Sequence, residues 1–221
     1  MAGYDALLLD HDGVIVDVLD GQKVRQAALD AFEAVGISTP DTEHVETVAF
    51  GPTHEELLAL SDRLNLDPAT LWQHRDDNLA EALKAAARDG IKKPYHDVDA
   101  LAGLDVPTGI VSNNQRRVVE FIAEQYELHD HFAAIRAREP HISSLERKKP
   151  EPTFLREVID DLGVTDPLYV GDRESDVIAG ERAGLDTAFI RREHNADVTI
   201  SREPTYEVGS LEAMPELLDT Q

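Results

Sequence analysis

The sequence contains no cysteine, which excludes disulfides, thiol catalysis and cysteine-ligated zinc. Long apolar runs are missing too: none approaches the roughly 18–20 residues that cross a bilayer. Met1 to Asp10 has neither a basic n-region nor a long apolar stretch, so no signal peptide is read there and a cytoplasmic location is expected. Basic side chains are scarce, 21 against 44 acidic ones, for a net charge of −23. A field of that sign repels polyanions, so nucleic acid and anionic membrane surfaces are excluded as partners. What is present is a 221-residue chain, 42% hydrophobic, enough to bury a core rather than stay disordered.

The chain opens with the apolar run Ala6-Leu7-Leu8-Leu9, closed by Asp10-His11-Asp12-Gly13. A short continuous apolar run ending in Asp and Gly reads as a buried parallel strand entering a loop. From about residue 20 to 92 the pattern is helical. Val24, Ala27, Ala28, Ala31, Phe32 and Val35 recur at helical spacing before Gly36. Thr53 with Glu56 makes a capping box, and Asp67-Pro68 opens a helix expected to run to Gly90. After Pro94 the period changes. Strands are expected at 107–112, 132–135, 168–171 and 187–190, with helices at 118–126, 153–162 and 175–183. Alternating apolar strands and helices argue an α/β fold, a doubly wound parallel sheet. The helical block is too long for an ordinary connection. Residues 1–18 and 93–221 are therefore expected to form the α/β core, and 19–92 an inserted α-helical cap domain.

In open parallel sheets, ligands bind beyond the carboxyl ends of the strands. Asp10 and Asp12 end the first strand, and Ser112 and Asn113 the second. Lys149 stands in a Lys-Pro-Glu-Pro segment just before a helix. Gly171-Asp172 ends another strand, with Asp176 four residues on. Each has a plainer reading alone: Asp-x-Asp recurs at 97–99, Ser112 suits a helix cap, Lys149 follows Arg147 and Lys148, and Gly-Asp suits a turn. Their coincidence, in chain order and each at a strand end or helix start, points to chemistry. Converging carboxylates with hydroxyl, amide and ammonium groups make a divalent-cation site facing an anion pocket, and hard oxygen ligands suit Mg²⁺ with a substrate phosphate. Lys149 and Ser112 then bind phosphoryl oxygens. One Asp attacks phosphorus to form an aspartyl-phosphate, and a second, two residues on, gives and takes the proton.

The sequence resembles the haloacid dehalogenase superfamily of phosphatases. The stretches that carry the resemblance are Leu9-Asp10-His11-Asp12-Gly13-Val14-Ile15-Val16-Asp17, Ile110-Val111-Ser112-Asn113-Asn114, Lys149-Pro150-Glu151-Pro152 and Val170-Gly171-Asp172-Arg173-Glu174-Ser175-Asp176. The resemblance implies Asp10 as nucleophile and Mg²⁺ ligand. It implies Asp12 as general acid and base, its main-chain carbonyl also on the metal. Ser112 and Asn113 hold the phosphoryl group, and Lys149 steadies nucleophile and phosphate. Asp172 is a direct metal ligand, while Asp176 holds waters or Lys149 around the metal. The helical insert takes the place of the family's C1 cap, where Thr53 and His54 in Phe50-Gly51-Pro52-Thr53-His54 are candidates to touch the leaving group. The nearest branch is similar to phosphoglycolate phosphatases and β-phosphoglucomutases. His11, Val14 and Arg173 depart from residues common in the family.

The reading that follows is a Mg²⁺-dependent phosphatase acting on a small phosphorylated metabolite, a monomer or weak homodimer. A sugar-phosphate mutase of the β-phosphoglucomutase type shares the aspartyl-phosphate. A non-enzymatic module, either a phospho-Asp receiver or a phosphate binder, shares the acid cluster and lysine. A 2-haloacid dehalogenase is disfavoured, because its alkyl-ester chemistry has no alkoxide for Asp12 to protonate. The acids, 24 Asp and 20 Glu, are spread along the chain beside only 6 Lys. That pattern resembles proteins of extreme halophiles, in which molar salt screens self-repulsion.

Overall fold

The computed structural model describes residues 3–219, which form two compact units. The first, residues 19–92 and 138–146, is helical: α1 (Gly21–Ala34), α2 (Thr42–Ala49), α3 (His54–Leu64) and α4 (Pro68–Arg88). Side chains open three of these helices. Asp20 accepts from the Gln22 N–H, Thr53 and Glu56 close a reciprocal capping box, and Asp67 accepts from the Thr70 N–H with Pro68 in the first turn. Such caps satisfy N–H groups that have no partner within the helix. Phe32, Val48, Leu57, Leu60, Leu71 and Trp72 meet in the core, joined by Leu145 from the segment 138–146.

That segment is held to the helices by charge as well as by Leu145. Arg138 pairs with Asp76 through both nitrogens, at 2.7 and 2.8 Å, and Arg75 reaches the same carboxylate at 3.0 Å. All three side chains are buried. The Trp72 ring lies 4.7 Å from the Arg75 guanidinium and 5.0 Å from that of Arg138. Sequence patterning places residues 138–146 in the α/β part, because neither Arg138 nor Leu145 announces a partner more than 60 positions back.

The second unit holds a six-stranded sheet: β1 (Ala6–Leu9), β2 (Thr108–Gln115), β3 (Ala134–Arg138), β4 (Pro167–Gly171), β5 (Thr187–Ile190) and β6 (Tyr206–Val208). The order is β3-β2-β1-β4-β5-β6, the doubly wound arrangement. Strand β1 runs parallel to β2 and β4, as does β5 to β4 and β6. Strands β1 and β4 are buried along their whole length, which is why both read as unbroken apolar runs. The helices are α5 (Arg116–Gln125), α6 (Thr153–Leu162), α7 (Glu174–Ala183) and α8 (Met214–Leu218). Phe154, Leu155 and Val158 of α6 and Ala179 of α7 pack on Leu8, Val111 and Tyr169 of the sheet. Among the described residues, no helix is long and apolar enough to cross a membrane.

Candidate active site

Strands β1 and β4 are neighbours at the point where the strand order reverses, the place at which such sheets bind ligands. Asp10 follows β1 and Asp172 follows β4. Two glycines make room for the carboxylates there. A Cβ on Gly171 would meet the Asp176 Cβ at 2.1 Å, so Asp176 packs against the strand end. Gly13 has φ +86°, and a Cβ on it would meet Asp172 Oδ2 at 2.2 Å; glycine alone tolerates both conditions without strain. Asp176, in the first turn of α7, accepts the Arg173 N–H on Oδ2 at 3.0 Å.

Lys149, just ahead of α6, is buried among these groups. Its Nζ lies 2.8 Å from Asp10 Oδ1, 2.6 Å from Asp176 Oδ1, 2.8 Å from the Tyr169 hydroxyl and 3.0 Å from the Val111 carbonyl. The Tyr169 hydroxyl donates to Asp176 Oδ1 at 2.9 Å. Asn113 fixes the Lys149 main chain, accepting its N–H at 2.7 Å and donating to its carbonyl at 3.0 Å. Ser112 is buried and its Oγ accepts the Asn114 N–H at 3.1 Å, so its hydroxyl hydrogen can be donated to a ligand. Burial pushes the Asp10 carboxyl up to about 7, with Lys149 opposing the rise and Asp176 and Asp172 adding to it. Burial acts to lower Lys149, but Asp10 and Asp176 outweigh it and hold the ammonium above the usual lysine range. Burial first, then Asp176 and Asp10, push the Tyr169 phenol well above its usual value, which keeps it a donor.

Ligand oxygens of Asp10, Asp172 and Asp176 lie within 4.8 Å of one another. With all three carboxylates ionised, one buried ammonium leaves an excess of two negative charges. One carboxylate oxygen, the fully buried Asp172 Oδ1, also lacks a hydrogen-bond partner among the described residues. The Arg173 Nε stands 3.9 Å from Asp172 Oδ1, beyond hydrogen-bond length. An unpaired buried anionic oxygen is costly, and a divalent cation would offset both the orphaned oxygen and the excess charge. Two single carboxylate oxygens, with other positions left to water and a substrate phosphate, are how Mg²⁺ is commonly held. The donor set fits that ion.

Residues 7–190 match the family described as haloacid dehalogenase-like hydrolase. The chain belongs to this family. Solved structures of haloacid dehalogenase-like hydrolases share the fold. CbbY from Rhodobacter sphaeroides, in complex with phosphate, superposes with a TM-score of 0.73 at 18% identity, over 98% of this chain and 99% of that one. A predicted phosphoglycolate phosphatase from Haemophilus somnus gives 0.69 at 16% identity, over 98% and 99%. A predicted phosphatase from Clostridium acetobutylicum gives 0.66 at 18%, over 97% and 98%. No curated protein sequence matches the chain.

Of the residues singled out from the sequence, Asp10, Lys149, Asp172 and Asp176 meet in one buried cluster, and Ser112 and Asn113 adjoin it through Val111 and the Lys149 main chain. The Asn113 side-chain amide bonds the Lys149 main chain through both its oxygen and its nitrogen. The Asp12 side chain stands outside the three-carboxylate group, with Oδ2 receiving Asn114 Nδ2 at 2.8 Å and the His11 Nδ1 3.5 Å away. Thr53 and His54 lie in the helical unit. There Thr53 caps α3 and His54 Nδ1 is 2.5 Å from Glu146 Oε1. Three residues go unremarked in the sequence: Asn114, Tyr169 and His194, whose Nε2 is 2.7 Å from Asp172 Oδ2. Asn114 closes one of the quoted motifs and Tyr169 directly precedes another, whereas His194 joins through a contact 22 positions along the chain.

Proposed function

We propose that this haloacid dehalogenase-like hydrolase is a Mg²⁺-dependent phosphatase that cleaves a small phosphomonoester through an aspartyl-phosphate on Asp10. The observation that carries the reading is the Asp10 carboxylate, bound through one oxygen to Lys149 and clustered within 4.8 Å with Asp172 and Asp176, where Asp172 Oδ1 is buried and unpaired. CbbY, of the same fold, binds phosphate and xylulose-1,5-bisphosphate, which favours a phosphorylated substrate here.

In this reading an Asp10 oxygen attacks phosphorus and the bond from phosphorus to the ester oxygen breaks. Asp12 gives its proton to that departing oxygen, and the alcohol leaves. Water then attacks phosphorus, Asp12 takes a proton from it, and the bond to Asp10 breaks to release inorganic phosphate and restore both carboxyl groups. Lys149 holds Asp10 in line and neutralises charge on the phosphoryl oxygens, and the Ser112 hydroxyl donates to one of them. Asp10 and Asp172, with the Asp12 carbonyl as the family resemblance implies, would hold Mg²⁺, which would supply charge neutralisation and favour the ionised, nucleophilic form of Asp10.

The test is phosphate release across a panel of phosphoglycolate, sugar phosphates and nucleotides, in molar KCl with Mg²⁺. Turnover of at least one member is expected, abolished by chelator and by Asp10→Asn. Isomerisation of a sugar phosphate outpacing phosphate release would replace this reading with the mutase. A stable phospho-Asp10 without turnover would replace it with a receiver-like switch, and an Asp10→Asn variant as active as the parent would remove the nucleophile.

A further inference from the structure

His194 has no part in the chemistry above, yet it touches the metal-ligating end of the sheet. It lies in a short turn, Glu193–Asn195, that follows β5. This turn grips Asp172 twice. Asn195 Nδ2 donates to the Asp172 main-chain carbonyl at 2.9 Å and to the Ile190 carbonyl at 3.0 Å, and its Oδ1 accepts the Arg192 N–H at 2.7 Å. His194 takes the side chain, with Nε2 2.7 Å from Asp172 Oδ2. A carboxylate can only accept, so Nε2 carries the hydrogen. The imidazole also leans on the first loop: a Cβ on Gly13 would come within 3.0 Å of its Cε1. It is not one of the residues whose ligand atoms cluster within 4.8 Å, so it holds Asp172 from outside the cation position.

We propose that His194 makes Asp172 a one-oxygen ligand and so tunes the carboxylate cluster to a small octahedral cation, Mg²⁺ or Mn²⁺, over Ca²⁺. The inference rests on the cation-dependent reading above. With Oδ2 bonded to the imidazole, Oδ1 is the buried Asp172 oxygen left without a hydrogen-bond partner and so the one open to a cation. Mg²⁺ accepts that arrangement, since it binds one or two single carboxylate oxygens and keeps several waters. Ca²⁺ takes 6–8 oxygens at longer distance and gains from a carboxylate that can chelate through both. His194 withholds that second oxygen. Groups that hold a ligand from behind commonly change metal affinity by 10–100-fold.

The experiment is calorimetric titration of the chelator-stripped full chain with Mg²⁺, Mn²⁺ and Ca²⁺, without substrate, for the parent, His194→Ala and His194→Gln. His194→Ala is expected to shrink the preference for Mg²⁺ over Ca²⁺ about ten-fold, and His194→Gln, whose amide can still donate to Oδ2, to keep it within about three-fold. An unchanged Mg²⁺ to Ca²⁺ ratio in His194→Ala, or a Gln variant as permissive as Ala, overturns the role of His194 while leaving the cation site standing. A parent protein that binds none of the three ions overturns the cation site itself, and this inference with it.

Discussion

Asp12 receives the Asn114 amide on Oδ2, and the Gln115 main-chain N–H donates to the other end of that amide, Oδ1, at 2.8 Å. The N–H fixes which end of Asn114 faces the carboxylate, so a proton carried by Asp12 is directed to its Oδ1. Asp12→Asn should then separate substrates by leaving group. On an alkyl phosphate kcat is expected to fall about 10²–10⁴-fold. On 4-nitrophenyl phosphate, whose phenolate leaves unprotonated, a burst followed by slow turnover is expected, because water still needs a base. Equal losses on both, with no burst in rapid-mixing measurements, would take Asp12 out of proton transfer. Asp12 is legible from its spacing to Asp10, whereas Asn114 is not. Ser112-Asn113-Asn114 carries nothing to tell its two amides apart. Only the alternation of side chains along β2 sends Asn113 to Lys149 and Asn114 to Asp12. Tyr169 is hidden for another reason: between Leu168 and Val170 it reads as core, and its hydroxyl finds Lys149 20 positions back.

Among the elements, the expected helices of the α/β part and strands β1, β2, β4 and β5 are legible, because long apolar periodicity or a wholly buried run marks each one. β3 is displaced, spanning Ala134–Arg138 where residues 132–135 are expected, and β2 continues through Ser112 to Gln115. β6 escapes notice, since three residues, Tyr206–Val208, are too few for an alternation to register. The joint between segment 138–146 and α4 escapes notice as well, and it makes a strong prediction. Burial pushes the Arg75 guanidinium down to about 10, with Asp76 resisting and Arg138 adding to the fall. Asp76→Asn leaves two buried guanidinium groups without their counter-ion, which is expected to destabilise the helical unit by about 3–5 kcal/mol. Trp72, the single tryptophan, reports on that unit directly. A fluorescence-detected urea midpoint that does not move would show that the arginines do not depend on Asp76.

On the scale of the whole molecule, a charge of −23 is spread over a surface that sees solvent almost everywhere. Raising KCl from about 0.1 to about 1 M shortens the Debye length from ~10 to ~3 Å. The thermal midpoint is expected to climb across that interval as repulsion among exposed carboxylates is screened. A flat or falling midpoint would mark the acids as ordinary surface rather than salt adaptation. The strand order has a consequence in time as well as in space. β1 begins at Ala6, but its neighbour β4 begins only at Pro167 and is made much later. At roughly 5–20 residues per second a ribosome needs about 10–30 s to cover that distance. For that interval the fully apolar β1 has at least one unpaired edge, the kind of surface that invites pairing with another chain. Asp10 likewise waits for Asp172, so a nascent chain that stops short of β4 holds Asp10 without its partner carboxylates. The three-carboxylate cluster is thus an assembly of the finished sheet, since Asp172 and Asp176 arrive only with β4 and the helix after it.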